Sequence, residues 1–300
     1  MKIAFFHNGN DTFIKPIIER LSKTHETQTL SVTNIQEMFQ LMMWSDVSWF
    51  EWCIEHIVQG SHLPRVCKNV VRLHRYEAFT PMPDKVKWEY VDKLILVTNI
   101  IDEYLEGRTG EVKRQVIKNG VDLSKVKFKN KHKGFKLGLI AYIHQRKNFP
   151  MILQIIKKLA DIDPRYTLYI AGRYTDKLTE DYTNYLVKEM GIQDNVIFCG
   201  WVNNIGDWLR DINYVVSSST FESFGYSIAE GMASGAKPII HNFPGVDDIW
   251  GKENLYNTVD EAVEMIMSDK FDSESYREYI IKYYNFDDKI NEIEKMLKGL

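Results

Sequence analysis

Short apolar runs alternate along the chain with segments whose apolar residues have helical spacing. Lys2–His7 predicts a buried strand that ends in Asn8-Gly9-Asn10, and Asp11–Lys23 repeats its apolar residues as one face of a helix does. The alternation continues through Asp122 and begins again at Leu137. Such a pattern predicts mostly parallel sheets that are covered by helices on both faces.

The same reasoning predicts the remaining elements. Strands are expected at Thr27–Val32, Asp46–Phe50, Asn69–Leu73, Lys93–Thr98, Leu137–Ile143, Tyr166–Ala171, Val196–Cys199, Tyr214–Ser217 and Pro238–His241. Helices are expected at Ile35–Met43, Ile100–Glu106, Pro150–Ala160, Asp181–Met190, Glu261–Met267 and from Ser273 onward. The fold class is therefore α/β, with two Rossmann-like doubly wound lobes that face each other across a cleft.

A lysine-rich segment separates the two alternations. It contains Lys125, Lys127, Lys129, Lys131, Lys133 and Lys136 and no acidic residue. Like charges repel and keep a chain extended, so the segment predicts a linker between domains. The alternative is a patch for anionic lipid or phosphate, which would allow peripheral membrane contact. We expect an N-terminal lobe at 1–125, a linker at 126–136, a second lobe at 137–280, and a C-terminal helix at 281–300 that packs back towards the first lobe.

Composition narrows the function classes. The chain has 300 residues, 44% hydrophobic and 26% charged, with a net charge of −3. That charge argues against a general nucleic-acid binder, and no apolar run is long enough to suggest a membrane span. The apolar part of the N-terminus is too short for a signal peptide, and Cys53, Cys67 and Cys199 form no C-x-x-C pair. We expect a cytoplasmic protein with reduced cysteines.

The segment from Ser219 to Pro238 carries the strongest candidate chemistry. Glu222 and Glu230 are eight positions apart, around Gly225 in a turn that opens a predicted helix. A helix start offers unpaired N–H groups to phosphate, and carboxylates are good acceptors for sugar hydroxyls. The pattern therefore indicates a nucleotide-sugar site. An ordinary capping box formed by Ser219 and Glu222 is the alternative.

These residues resemble the retaining glycosyltransferases of family four, which have the GT-B fold. The resemblance rests on Glu222-x7-Glu230 with the Gly-Met-Ala-Ser-Gly-Ala-Lys-Pro run after it. Four more segments agree in order and spacing: Asn119-Gly-Val-Asp122, Arg146-Lys-Asn148, Ile170-Ala-Gly172 and Val196-Ile-Phe-Cys-Gly-Trp201.

The resemblance implies a role for each matching residue. It assigns Lys147 to the diphosphate leaving group, Glu222 to donor-sugar hydroxyls and Glu230 to the ribose. It assigns catalysis to Lys147, Glu222, His74 and Arg146, and donor binding to Gly9, Gly200, Trp201, Val202, Ser223, Phe224, Gly225, Tyr226, Glu230 and Arg173. His74 either contacts the reacting sugar or acts through its backbone; a structural histidine at a strand end is the alternative.

One position departs from the family pattern. The family usually has an arginine about five positions before its lysine, where this chain has Tyr142. Arg146 or Arg173 is expected to substitute for it. The aromatic residues of the first lobe, which are Trp44, Trp49, Phe50, Trp52 and Trp88, are expected mainly to pack in its core, although tryptophan also stacks on sugars.

The expected function is therefore the transfer of a sugar from a UDP-, GDP- or ADP-type donor to a hydroxyl of a sugar, lipid-linked or protein acceptor, with retention of configuration. This activity would serve surface polysaccharide, glycolipid or glycoprotein synthesis. We expect no bound cofactor and no metal, since no Asp-x-Asp pair lies in a suitable position. The alternatives are a nucleotide-sugar 2-epimerase of similar fold and a non-catalytic donor-binding partner of another transferase.

Overall fold

The computed structural model describes residues 1–9, 11–32 and 34–300. The chain divides into two units, which are Met1–Asn119 together with Asp287–Leu300, and Gly120–Phe286. Each unit contains one six-stranded, entirely parallel sheet among the described residues. The predicted α/β class is confirmed.

Ten of the described strands overlap the strands expected above, and two, Arg114–Val116 and Leu255–Tyr256, were not among them. The strands of the first unit are β1 (Lys2–His7), β2 (Glu26–Ser31), β3 (Val47–Glu51), β4 (Lys68–Leu73), β5 (Lys93–Leu96) and β6 (Arg114–Val116). Those of the second unit are β7 (Lys136–Ile143), β8 (Thr167–Tyr174), β9 (Val196–Gly200), β10 (Tyr214–Ser217), β11 (Lys237–His241) and β12 (Leu255–Tyr256).

Helices connect these strands. They are α1 (Lys15–Leu21), α2 (Ile35–Trp44), α3 (Glu55–Gly60), α4 (Arg75–Ala78), α5 (Asn99–Tyr104), α6 (Phe149–Ile162), α7 (Lys177–Glu189), α8 (Ile205–Trp208), α9 (Tyr226–Ala233), α10 (Asp247–Trp250), α11 (Val259–Met267), α12 (Ser273–Tyr284) and α13 (Phe286–Lys298). Nearly all of α13 belongs to the first unit, where Glu294 accepts a hydrogen bond from Thr24 Oγ1 (2.9 Å).

Burial explains the strand sequences. Every residue of β3 is buried, and β1 is buried from Ile3 to His7, as expected for strands with helices on both faces. The edge strand β2 instead has a polar sequence with mostly exposed residues. The largest helix, α6, packs one face built from Ile152, Leu153, Ile156 and Leu159 into the core of the second unit.

Each sheet has a topological switch point, where the chain reverses its direction of strand addition. The first sheet has the order β2-β1-β3-β4-β5-β6, so its switch point lies between β1 and β3. The second has the order β12-β11-β10-β7-β8-β9, so its switch point lies between β7 and β10. Ligands of doubly wound folds bind beyond the carboxyl ends of the strands at such points.

The lysine-rich segment has no helix or strand before Lys136 and belongs to the second unit. Lys131 is buried in that unit, where its Nζ donates to Leu209 O (2.9 Å) and Ser234 Oγ (2.7 Å). Burial lowers the pKa of Lys131 to about 7. The segment is therefore anchored to the second unit, a contact that the charge pattern alone does not reveal.

Candidate functional site

The switch point of the second sheet brings two predicted site residues together. Lys147 follows β7 and Glu222 follows β10, and Lys147 Nζ donates to Glu222 Oε1 at 2.6 Å. Ser219 Oγ donates to the same carboxylate oxygen at 2.9 Å. The two charged side chains keep only 18% and 19% of their surface exposed. A largely buried ion pair thus lies where the topology predicts a ligand.

Hydrogen bonds tie the two loops of this site together. Ser218 Oγ donates to Lys147 O (2.6 Å), and the backbone N–H of Thr220 donates to Arg146 O (3.0 Å). Both loops are therefore held at their backbones as well as by the ion pair. A lysine on such a support is oriented before any ligand binds, which favours electrostatic stabilisation of developing charge.

Lys147 ends a 3-10 turn, Gln145–Lys147, that leads directly into α6. Asn148 is the N-cap residue of α6, and Pro150 lies in the first turn. Asn148 has a left-handed backbone, with φ at 45°. Its side-chain Nδ2 donates to Met151 Sδ (3.7 Å), and the side chain makes no capping hydrogen bond to the helix. The turn and the left-handed residue together reverse the chain between β7 and α6.

Glu222 is ionised at neutral pH. Burial acts to raise the pKa of its carboxyl, but the charge and hydrogen bond of Lys147, the nearby Arg146 charge and the Ser219 hydroxyl outweigh burial and hold that pKa below its usual value. Arg146 carries a buried Nε that has no hydrogen-bond partner within the described part of the chain.

Helix α9 begins later than the capping-box alternative requires. Its N-cap is Gly225, so Ser219 and Glu222 lie in the loop before the helix, and Ser219 donates to Glu222 without capping. The capping-box interpretation is therefore wrong. Of the two glutamates of the motif, only Glu230 lies on α9, so the rise of a helix does not set their separation.

The backbone of Gly225 has φ at 87°, in the left-handed region that glycine adopts more readily than other residues. Just before it, the Phe224 ring is buried against Trp250 and Tyr284, at centroid distances of 5.3 and 5.0 Å. The Phe224 side chain belongs to the core, so only the backbone of this residue could contact a ligand. Ser223 and Tyr226 flank these two residues at the start of the helix.

Glu230 lies on the second turn of α9 and is half-buried. Burial raises the pKa of its carboxyl to about 7, against a smaller opposing effect of Lys125. The two glutamates of the motif thus have opposite environments, since Glu222 is held charged by cations while Glu230 is poised to gain or lose a proton near neutral pH.

Two other predicted residues, Arg173 and Trp201, form an aromatic and cationic cluster with Tyr142 at the ends of β7, β8 and β9. The rings of Tyr142 and Trp201 lie 5.6 Å apart, and Arg173 Cζ lies 5.2 Å and 5.6 Å from their respective centroids. Trp201 is 60% exposed, and it stands between Gly200, whose φ is 68°, and Val202. Of the two arginines that could replace the family arginine, Arg146 acts electrostatically on Glu222, whereas Arg173 belongs to this cluster.

The other two predicted residues lie in the first unit. Gly9 lies two residues after the end of β1 with φ at 93°, and its N–H donates to His7 Nδ1 (3.0 Å). Asn10 lies outside the described residues. His74 follows β4 and is buried, with Nε2 at 2.7 Å from Glu51 Oε1. His74 is thus held by a buried carboxylate, which the sequence alone did not predict.

Glu51 is the centre of a buried polar network that sequence reasoning missed. Its carboxylate also accepts from Arg72 Nη1 (2.9 Å) and Trp49 Nε1 (3.0 Å). Burial acts to raise the pKa of Glu51, but Arg72 and His74 outweigh it and hold that pKa below its usual value. The available signal was an acidic residue at the end of a buried, mostly apolar strand.

The described residues contain no group of three or more histidine, cysteine, aspartate or glutamate side chains that could hold a metal ion. The sequence does contain one Asp-x-Asp spacing, at Asp161 and Asp163. These side chains pair with Lys157 and Arg165 around the end of α6. None of the described helices is long and apolar enough to cross a membrane.

Comparison with known proteins identifies a matching family and several similar proteins. The sequence profile of the family described as "Glycosyl transferases group 1" matches residues 121–295, more than half of the chain. The alpha-monoglucosyldiacylglycerol synthase of Streptococcus pneumoniae is 25% identical over 231 residues, covering 67% of this chain and 51% of the synthase. The mannosylfructose-phosphate synthase of Agrobacterium fabrum is 27% identical over 135 residues, covering 43% of this chain and 28% of that synthase. The chain thus spans about half the length of the first relative and less of the second.

Solved structures agree on the fold. Anabaena Alr3699/HepE in complex with UDP and glucose has a TM-score of 0.83 at 16% identity, with all of both chains covered. The sucrose-phosphate synthase of Thermosynechococcus elongatus has a TM-score of 0.78 at 12% identity, covering 100% of this chain and 98% of the synthase. The family match and these shared architectures lead to one assignment: the chain belongs to the glycosyl transferases group 1 family and has the GT-B fold.

Proposed function

We propose that the chain transfers a sugar from a nucleotide-sugar donor to an acceptor hydroxyl, with retention of configuration and without a metal ion. The observation that carries this proposal is the Lys147–Glu222 ion pair at the switch point of the second sheet, beside the loop that leads into α9. Family membership supports the reaction class. The names of similar structures, which include UDP and UDP-glucose, favour a uridine nucleotide among the donor types.

Donor binding would rearrange the ion pair. A diphosphate at the loop before α9 would receive hydrogen bonds from backbone N–H groups near Gly225 and would compete with Glu222 for the Lys147 ammonium. Glu222 would then be available to accept hydrogen bonds from donor-sugar hydroxyls, and Glu230 from the ribose. One resident pair thus supplies a cation for the phosphates and an anion for the sugar.

In the chemical step the sugar passes from the diphosphate to the acceptor oxygen. The bond between the sugar's anomeric carbon and the diphosphate oxygen breaks, and its electron pair leaves with the diphosphate. Lys147, with Arg146 nearby, stabilises that developing charge. The acceptor oxygen bonds to the anomeric carbon from the same face, and its proton passes to a phosphate oxygen. No protein nucleophile is required, whereas a retaining glycosidase would need a second carboxyl group about 5–5.5 Å from the first.

We further propose a cytoplasmic site of action and a polysaccharide, glycolipid or glycoprotein product. Peripheral membrane contact through Lys125–Lys136 has less support. Lys129 and Lys133 pair with Asp211 and Asp269, and Lys131 is buried, so part of the positive charge is already used within the protein.

Thermal unfolding with a panel of nucleoside diphosphates and nucleotide sugars tests donor binding. We expect nucleotides of one base to raise the Tm, and we expect Lys147→Ala and Glu222→Ala to reduce that rise in Tm. Equal shifts in the wild type and both variants would contradict the site.

NMR analysis of the product then separates the reactions. A new glycoside with the donor's anomeric configuration supports the proposal, an epimerised donor formed without acceptor indicates the epimerase, and binding without turnover indicates the non-catalytic partner. Activity that persists with EDTA supports metal independence.

A further inference from the structure

Trp52 occupies the switch point of the first sheet with an unusual backbone. It directly follows β3, and its φ of 76° places it in the left-handed region, where only one other non-glycine residue lies among those described. That conformation is costly for a bulky side chain. Two hydrogen bonds maintain it: Trp52 N–H donates to Arg72 O (3.0 Å), and Cys53 N–H donates to Glu77 Oε1 (3.0 Å).

The indole nitrogen of Trp52 is a buried polar group of the first unit. This Nε1 has no hydrogen-bond partner within the described residues. A buried donor without an acceptor destabilises the native state. Trp88, by contrast, donates from Nε1 to Pro83 O (2.7 Å). Hydrogen bonds of the indole to the described residues therefore do not explain the position of Trp52.

The ring of Trp52 rests on a fixed support and remains partly exposed. Its centroid lies 4.3 Å from the His74 ring at an interplanar angle of 33°, and 5.8 Å from Phe13 at 69°. His74 is in turn held by the buried Glu51. Strain, a donor without a partner among the described residues, and partial exposure are three costs at one residue, and such costs collect where a residue serves a ligand.

We propose that Trp52 is the stacking surface for a sugar ring of the acceptor. This inference rests on the transferase function proposed above and specifies its acceptor class as a carbohydrate-headed molecule. A pyranose presents an apolar C–H face that packs on an aromatic ring, while its hydroxyls need a polar surrounding. The exposed residues Asp11 and Thr12, next to Phe13, provide a polar border that a hydrocarbon chain would not favour.

Two variants separate stacking from folding. Trp52→Gly removes the ring and suits the left-handed backbone, so it relieves strain instead of adding it. Trp52→Phe keeps an aromatic face and the strain but removes the indole N–H. Tyr182→Ala, which removes an exposed aromatic ring from α7, is the control.

Binding is measured first, without turnover. Saturation-transfer NMR with the methyl pyranosides of glucose, galactose, mannose and N-acetylglucosamine is expected to detect at least one, with the strongest transfer to its C–H face. We expect Trp52→Gly to weaken that binding by about tenfold and Trp52→Phe by about threefold, while Tyr182→Ala has no effect. Failure of all four glycosides to bind the wild type, or equal binding to Trp52→Gly, overturns the proposal.

Kinetics then distinguish this inference from the broader function. With an active donor, Trp52→Gly should raise KM for the bound glycoside by the same factor and leave the donor KM within about twofold. A rise in the donor KM instead assigns Trp52 to the donor and overturns the proposal. Absence of any nucleotide-sugar binding contradicts the transferase function, whereas glycoside binding lost only in Trp52→Gly still supports the stacking site.

Discussion

Lys147 Nζ lies 2.6 Å from Glu222 Oε1, although the two residues are 75 positions apart in the sequence. The pair forms because β7 and β10 are neighbours in the sheet, so that the loops after them meet. In the proposed mechanism this contact is a resting arrangement, which the donor diphosphate replaces.

Replacement of Lys147 by alanine should reduce kcat by about 10²–10³, the usual effect of removing one preorganised donor to developing charge. Donor affinity should also fall, because a diphosphate would then meet Glu222 without a compensating cation. Initial rates with the donor found in the thermal screen measure both effects.

Lys157→Ala is the control for this change. Lys157 forms an exposed ion pair with Asp161 on α6, and such pairs contribute little. A Lys147→Ala enzyme with a normal kcat and only a lower Tm would assign Lys147 a structural role.

The affinity for a nucleotide sugar should depend on the protonation of Glu230. Its pKa is about 7, and both oxygens of the ionised carboxylate accept strong hydrogen bonds from ribose hydroxyls, whereas protonation turns one of them into a donor. Binding should therefore tighten by nearly tenfold from about pH 6 to about pH 8, and Glu230→Gln should remove most of that dependence. Isothermal titration with an intact nucleotide sugar at several pH values measures it.

The same carboxyl should affect stability in the opposite direction. Because the pKa of Glu230 is raised in the native state above its ordinary value of 4.5, ionisation costs stability as pH rises from about 4.5 to about 7. Glu230→Gln should thus be more stable than the wild type at pH 8 and similar to it at low pH. The exposed Glu264→Gln on α11 is the control, and a parallel profile for all three proteins would refute the assignment.

Gly225→Ala should destabilise the protein by about 1–2 kcal/mol, the cost of a left-handed backbone in a residue with a Cβ. The added Cβ would meet Trp250 at 3.9 Å, an ordinary contact, so the penalty arises from the backbone alone. A shifted backbone would also misplace the N–H groups that the proposal assigns to phosphate. Urea unfolding and nucleotide titration measure the two effects.

Gly191→Ala is a matched control for this variant. Gly191 has φ at 66°, and a Cβ there would meet no atom within 4 Å. It should lose similar stability while nucleotide affinity is unchanged. Equal loss of affinity in both variants would show that reduced stability, not the position of the loop, is responsible.

Replacement of Glu51 by glutamine should destabilise the protein by about 3–5 kcal/mol, because it leaves the buried Arg72 guanidinium without its counter-charge. Denaturant unfolding measures the change. Glu55→Gln, at an exposed position in α3, should change stability by less than about 0.5 kcal/mol. A loss below about 1 kcal/mol for Glu51→Gln would mean that the network contributes little to stability.

Local sequence determined the parallel α/β architecture, since uninterrupted apolar runs such as that of β1 are characteristic of strands covered on both faces. It also identified the family and the candidate residues Lys147, Glu222 and Glu230 through their spacing. Periodicity and motif spacing are local properties, so they can be read before the chain is folded.

The tertiary structure decided which candidates meet. The pairing of β7 with β10 joined Lys147 to Glu222. The start of α9 after Gly225 left Glu222 in the loop before the helix that carries Glu230. Backbone angles and burial also cannot be predicted from a local sequence pattern. For this reason the strained Trp52 could be predicted only as one of several core aromatic residues. The energies that hold such residues come from partners far along the chain, and only the folded sheet specifies those partners.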